Sequence, residues 1–137
     1  MSYLIDTNTL SELRRRVPNA AVAQWFSQRP ARAMYLSVLS LGEIRKGAES
    51  AKDPSLRASL LDWLELELPA FYQNRLLGID QAIADHWGRL WAAAGRPLPV
   101  IDSLLAATAL VHRLTIVTRN VKDFEGLGVP VLNPWPP

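Results

Sequence analysis

Residues 3–8 read Tyr3-Leu4-Ile5-Asp6-Thr7-Asn8, an apolar run that ends abruptly at an acid. The run predicts a short buried strand, and aspartate is among the residues that best begin a helix. Similar short apolar runs recur along the chain. Further strands are predicted at Met34–Ser37, Leu76–Ile79 and Thr115–Thr118, with a fifth edge strand within Val129–Leu132. Short apolar strands separated by helices predict an α/β fold with a small parallel sheet of four to five strands flanked by helices.

The intervening segments carry helix signals. Pro54 suits the first turn of a helix, and Pro69 is expected to end it. Helical apolar spacing connects Ile83, Trp87 and Trp91. The predicted helices are Thr7–Arg16, a helix capped by Asn19 and running to Gln28, Leu39–Ser50, Pro54–Leu68, a helix capped by Asp80 and running to Ala94, and Asp102–His112.

The composition describes one ordinary domain covering residues 1–137. The chain is 49% hydrophobic with a net charge of +2, which argues against disorder. It has no cysteine, which excludes disulfides, thiolate zinc sites and cysteine nucleophiles. No apolar stretch approaches the ~20 residues that span a bilayer. Asp6 comes too early for the apolar region of a signal peptide. These features predict a cytoplasmic protein without a membrane partner.

Four acids occupy unusual positions. Asp6 directly follows a predicted strand, and Asp123 comes shortly after another. Glu43 lies in an apolar helix opening, and Asp102 follows Pro99-Val100-Ile101. Singly, each has an ordinary explanation as a cap, a turn or an exposed helix position. Functional sites in parallel α/β folds collect outside the carboxyl ends of the strands, which favours convergence of these acids.

Convergence would be costly without a cation. Two carboxylates ~4 Å apart repel by about 4 kcal/mol at an effective dielectric near 20. All-oxygen ligation by Asp6, Glu43 and Asp102 suits Mg²⁺ or Mn²⁺. A bound divalent ion can activate water and stabilise charge on a phosphoryl oxygen. The neighbouring polar side chains that could orient the acids or the water are Thr7, Asn8, Thr118 and Asn120.

Other conspicuous residues have structural interpretations. His86 and His112 are far from the acids in sequence and are expected to be structural or exposed. The helical spacing of Trp87 and Trp91 favours a core or dimer-interface role. Trp135 lies in a proline-rich tail and is expected to fix the terminus. The run Arg14-Arg15-Arg16 is expected to be a solvated helix end.

Four sequence blocks, in order and covering nearly the whole chain, give it a family resemblance. They are Leu4–Asn8, Ser37–Gly47, Ile101–Ala109 and Thr118–Phe124, with Asn133-Pro134-Trp135 closing. The chain resembles PIN-domain ribonucleases, and more narrowly the VapC-type, FitB-like toxins of bacterial toxin–antitoxin pairs. The resemblance implies a PIN-like three-layer fold with an acidic pocket that binds Mg²⁺ or Mn²⁺ and cleaves single-stranded RNA.

Residue by residue, Asp6, Glu43 and Asp102 match the family's three core acids, which are metal ligands, and Asp123 matches a fourth acid. Thr118 and Asn120 match the polar positions after the fourth strand. The resemblance also implies a VapB-like antitoxin, a homodimer and a toxin–antitoxin hetero-oligomer. We expect hydrolysis by metal-activated water, with Arg45 as a candidate contact to the substrate phosphate.

Two other functions remain open on sequence grounds. Asp6-Thr7-Asn8-Thr9 resembles the aspartate loop of haloacid-dehalogenase phosphatases, in which Asp6 would be the nucleophile. Asn8 stands where that loop normally has its second acid, which counts against this alternative. The second possibility is a non-catalytic module that binds RNA or protein.

Overall fold

The computed structural model describes residues 1–137 and contains one five-stranded sheet. Its strands are β1 (Tyr3–Ile5), β2 (Met34–Ser37), β3 (Leu76–Leu77), β4 (Thr115–Val117) and β5 (Val131–Leu132). They are arranged in the order β3-β2-β1-β4-β5, and every pairing is parallel. The predicted parallel α/β fold is confirmed, including the edge strand β5.

The helices have the following bounds: α1 (Thr7–Glu12), α2 (Ala20–Ser27), α3 (Val38–Ser50), α4 (Pro54–Asp62), α5 (Leu68–Tyr72), α6 (Gln81–Ala94) and α7 (Val100–His112). Short polar caps begin several of them. Asn19 accepts from the backbone N–H groups of residues 21 and 22, and Asp80 accepts from that of residue 83. These contacts satisfy donors that the first helical turn leaves free. No helix combines the length and the apolar composition needed to cross a membrane.

Successive side chains along the strands point to opposite faces of the sheet and form two cores, one on each face. Tyr3 and Ile5 of β1 pack in one buried cluster with α2 and the α4–α5 segment. Leu4, between them, packs in the other cluster with Leu105 and other residues of α7. Successive side chains of a strand point to opposite faces, so one short strand contributes to both layers. The result is helix, sheet and helix in three layers.

The first helix is shorter than its sequence predicts. It ends at Glu12 instead of Arg16. The Glu12 side chain is only 5% exposed and accepts from the backbone N–H of Asn19 at 2.9 Å. This hydrogen bond ties the end of α1 to the start of α2, so the chain turns before the arginine run. Arg15 and Arg16 are exposed, as expected, whereas Arg14 is half-buried, with its guanidinium 4.6 Å from the Trp63 ring centroid.

Pro69 does not end the helical segment, contrary to the prediction. A π-helical turn at Trp63–Glu67 joins α4 to α5, which continues to Tyr72. There the Leu68 N–H donates to the carbonyl of Trp63, five residues back. A proline ring inside an α-helix clashes with the carbonyl four residues earlier, here that of Glu65. The wider turn relieves that clash, and the chain continues past the proline.

The last long helix also begins earlier than predicted. It starts at Val100, with Pro99 as its N-cap, so Asp102 lies in its first turn and is not the cap. The adjacent Ser103 is fully buried. Its hydroxyl donates to the Val100 carbonyl and accepts from the indole N–H groups of Trp87 and Trp91, at 2.9 and 3.1 Å. The two tryptophans therefore pack between helices, and their polar ends fix the first turn of α7.

We expect Ser103→Ala to lower the free energy of unfolding by about 1–3 kcal/mol, because two indole N–H groups lose their acceptor. Ser40→Ala is a matched control. Ser40 is also a fully buried helical serine, but its hydroxyl has no hydrogen-bond partner. Its removal should be neutral or slightly stabilising. Urea unfolding of both variants measures the difference, and equal costs would contradict the assigned role of Ser103.

Candidate acidic active site

Asp6 lies where β1 ends and α1 begins. Its backbone N–H continues the sheet by donating to the Val117 carbonyl at 3.0 Å. Its side chain caps α1 by accepting from the Thr7 N–H at 2.8 Å. Asp6 is only 7% exposed. The strand and the helix together therefore hold this carboxylate at the carboxyl edge of the sheet, as predicted.

Thr118 provides the second fixed contact to Asp6. Its hydroxyl lies 2.8 Å from Asp6 Oδ2, and it also accepts from the Asn8 side-chain amide and from the Asn120 backbone N–H, at 3.1 and 3.0 Å. A hydroxyl has two acceptor lone pairs and one proton. Because both lone pairs are used, the proton is directed to Asp6. The supporting roles expected for Thr118 and Asn8 thus have a geometric basis.

Glu43 reaches the same site from α3. The Thr7 hydroxyl donates to Glu43 Oε1 at 2.7 Å, which connects the helix after β1 to the helix after β2. Glu43 itself is exposed, although residues on either side of it in α3 are buried. Thr7 therefore serves both acids, Asp6 through its backbone N–H and Glu43 through its hydroxyl.

Asp102 completes the cluster from α7. Its side chain is half-buried and forms no hydrogen bond with another residue. Burial raises the pKa of Asp102 to about 6, and repulsion from Asp6, Asp123 and Glu43 contributes further. Burial likewise raises the pKa of Asp6, against the opposing effects of its hydrogen bonds to Thr118 and Thr7. Since the charges of Asp6, Glu43 and Asp123 all act on Asp102, the structure brings the four carboxylates to one region.

The remaining candidates have less central positions. Asp123 lies in a short 3₁₀-helix at Val121–Phe124 and is exposed, so it acts on the cluster through its charge. Asn120 contributes its backbone N–H to Thr118. Arg45 forms ion pairs with Glu65 at 2.9 Å and Glu49 at 3.6 Å, which counts against its candidacy as a phosphate contact. Both histidines lie outside this network, as expected.

The donor set is suited to a hard divalent cation, because it offers carboxylate oxygens and neither thiolate nor imidazole. In the structure, no three acidic or histidine side chains lie close enough together to form a metal-ion site. Mutual repulsion favours separation of bare carboxylates, and the exposed Glu43 is held only by the Thr7 hydroxyl. The residues therefore match Mg²⁺ or Mn²⁺ in chemical type, while binding requires the side chains to draw together.

A mostly apolar cavity lies away from the acids. It has a volume of about 630 Å³ and lies between α1, α2 and the α4–α5 segment. Its lining is mostly apolar and includes Leu10, Phe26 and Trp63. None of the four acids lines it. The acids lie apart from this cavity, at the carboxyl edge of the sheet, where Asp6 is buried and Glu43 is exposed.

Sequence reasoning missed three residues that support the site. Ser103 holds the first turn of α7 next to Asp102. Glu12 fixes the end of the helix that Asp6 caps. The backbone N–H of Arg119 donates to the Asn8 side-chain carbonyl at 3.3 Å. A polar residue in an apolar stretch was the available signal for Ser103, whereas the other two contacts depend on the folded backbone.

The fold and the site define a class: a parallel α/β domain with a cluster of carboxylates at the carboxyl edge of its sheet. The PIN domain family model matches residues 3–128. The chain therefore belongs to the PIN domain family, and the resemblance inferred from the sequence is confirmed.

Known proteins agree with this assignment. The chain is 31% identical over 137 residues to VapC ribonuclease Y4jK of Sinorhizobium fredii, covering 98% of each protein. The crystal structure of FitAcB from Neisseria gonorrhoeae has a chain that superposes with a TM-score of 0.89 at 30% identity, covering 97% of this chain and 98% of that one. A toxin–antitoxin complex from Klebsiella pneumoniae gives 0.70 at 28% identity and 98% coverage of both chains.

The raised pKa of Asp102 predicts a pH-dependent cost to stability in the absence of metal. The ordinary value is 3.8 and the folded value is about 6, so the folded state loses stability as the pH rises through this interval. Asp102→Asn cannot ionise and escapes that loss. In EDTA, its gain in unfolding free energy over the natural chain should be larger at about pH 7.5 than at about pH 4.5.

Asp62→Asn is the control for loss of one negative charge, because Asp62 is an exposed residue at the end of α4. Denaturant titrations at the two pH values make the comparison. A gain for Asp102→Asn that is no greater at the higher pH would contradict the electrostatic coupling described for the cluster.

Proposed function

We propose that this protein is a Mg²⁺- or Mn²⁺-dependent endoribonuclease of the toxin type. The observation that carries the proposal is the position of Asp6 and Glu43 at the carboxyl edge of the sheet, where Thr7 donates to both, with Asp102 close enough that their charges raise its pKa. The similarity to a relative named as a VapC ribonuclease supports RNA as the substrate. A protein that acts on cellular RNA would work in the cytoplasm.

Asp6, Glu43 and Asp102 are the residues that would hold the metal. A divalent ion bound by carboxylates supplies Lewis acidity toward phosphoryl oxygens and a lowered pKa for water. The chain contributes prior orientation. Asp6 is held through both oxygens, by the Thr7 N–H and the Thr118 hydroxyl, so it cannot swing away when the cluster is bare. The Thr7 hydroxyl similarly limits the range of Glu43.

We expect the purified protein to cleave single-stranded RNA with Mg²⁺ or Mn²⁺ and to stop when EDTA is added. Asp6→Asn and Asp102→Asn should each lower cleavage by at least about 100-fold, because each removes a charge that acts directly at the site. Asparagine keeps the shape and the capping ability of aspartate. Gel analysis of RNA fragments measures the rate, and the products should carry 5′-phosphate and 3′-hydroxyl ends.

Asp62→Asn should cleave like the natural chain. Full activity in either site variant would refute the assignment. A phosphorylated Asp6 trapped with a phosphomonoester substrate would instead support the phosphatase alternative, and tight RNA binding without cleavage would support a binding module.

We also propose that a small antitoxin of the VapB type binds and inhibits this protein, and that two copies of the chain form a dimer. The similarity to a chain of a toxin–antitoxin complex supports the first part of this proposal. The resemblance of the sequence blocks also implies both an antitoxin and a homodimer. Light scattering of the purified protein should give twice the mass of one chain.

Expression of the chain alone should arrest bacterial growth, and co-expression of the short reading frame next to its gene should restore growth. The inactive Asp102→Asn variant is the control and should not arrest growth. If the neighbouring product neither restores growth nor inhibits cleavage by the purified protein, it is not the antitoxin.

A further inference from the structure

A cation without an acidic partner borders the carboxylate cluster. Arg119 directly follows Thr118 and is exposed, and its backbone N–H donates to Asn8, whose amide in turn contacts Thr118 and Asp6. Its side chain forms no salt bridge, whereas Arg45 is neutralised by two glutamates. Arg119 is therefore a rim residue with its positive charge available.

The guanidinium of Arg119 is held by the C-terminal tail. Its central carbon lies 5.2 Å from the centroid of the Trp135 ring. The tail is itself fixed, because the Thr118 N–H donates to the Leu132 carbonyl of β5 and because Pro134 is buried. Trp135 thus does more than secure the terminus. It restrains a cation at the edge of the sheet where the acids lie.

An acidic site repels the polyanion that it is proposed to cleave. A cation at the rim offsets this repulsion and fixes where the strand passes. Arginine suits the task, because its planar fork matches phosphate oxygens and an aromatic contact leaves its N–H groups able to donate. Restraint by Trp135 reduces the conformational entropy lost when a phosphate binds.

We propose that Arg119 is a phosphate-binding residue for single-stranded RNA and that Trp135 is the positioning residue that holds it. The phosphate is one that flanks the bond to be cut, and this assignment rests on the proposed ribonuclease function. Arg119 replaces Arg45 as the contact to the RNA backbone. The role of Trp135 is indirect, through the guanidinium.

Binding can be measured apart from cleavage. In an Asp102→Asn background with EDTA, fluorescence anisotropy of a labelled 12-nucleotide single-stranded RNA gives the affinity across a series of salt concentrations. Adding Arg119→Gln should weaken binding about tenfold and lower the slope of log affinity against log salt by about 0.7, the loss of one phosphate contact. Arg119→Lys should retain part of the affinity.

Arg32→Gln is the matched control. Arg32 is an exposed arginine that forms no salt bridge, and it lies just before β2, at the opposite edge of the sheet. It should change neither the affinity nor the salt slope. An unchanged slope in folded Arg119→Gln, equal to that of Arg32→Gln, would overturn the proposal.

Trp135 is tested by a double-mutant cycle. Trp135→Ala should weaken binding, Trp135→Phe should largely restore it, and Trp135→Ala should have no effect once Arg119→Gln is present. An equal loss in both backgrounds would overturn the positioning role. Cleavage by the natural chain with Mg²⁺ separates the two proposals. If the natural chain cleaves RNA but Arg119→Gln does not weaken RNA binding, only the proposed phosphate contact is overturned. If Arg119→Gln weakens RNA binding but the natural chain does not cleave RNA, the phosphate contact is supported and the ribonuclease function is refuted.

Discussion

The hydrogen bond from the Thr118 hydroxyl to Asp6 is the interaction on which the site depends. It spans 112 positions of sequence and is buried. The proton of this hydroxyl must point to Asp6, because both lone pairs of the oxygen accept N–H groups from Asn8 and Asn120. Asp6 in turn caps α1 and extends the β1–β4 ladder. One bond thus links the orientation of an acid to the pairing of the two central strands.

The other carboxylates are held by fewer hydrogen bonds than Asp6. Glu43 has one contact, from the Thr7 hydroxyl, and Asp102 has none from any side chain or backbone N–H. The rigid member defines the position of the site, and the freer members can adjust to what binds there. The charges of the other three acids act on Asp102, although no three of them form a closed coordination cage in the structure. A preformed cage would hold like charges together at a high cost in stability.

Much of this arrangement could be read from the sequence, because its causes are local. An acid directly after an apolar strand lies at the carboxyl edge of a parallel sheet, and this logic correctly located Asp6 and Thr118. Glu43 and Asp102 were likewise singled out because each borders an apolar segment, and the structure brings both to the same region. The errors concern contacts between distant segments. The end of α1 is set by Glu12 bonding to Asn19, and the continuation past Pro69 by a widened turn. Neither has a signature in the residues nearby, and the partners of Arg45 and Arg119 depend on how α3, α4 and the tail pack.

The order of the strands determines when, during synthesis, the carboxylate site can assemble. β1 is made first, but its neighbour β4 and the edge strand β5 come from the last quarter of the chain. A growing polypeptide that has not reached Thr115 has Asp6 and Glu43 but no strand to direct the Thr118 hydroxyl. The carboxylate edge therefore cannot assemble before the chain through β4 and Thr118 has been made. A domain with this strand order cannot complete its carboxylate site until β4 and β5 have emerged from the ribosome.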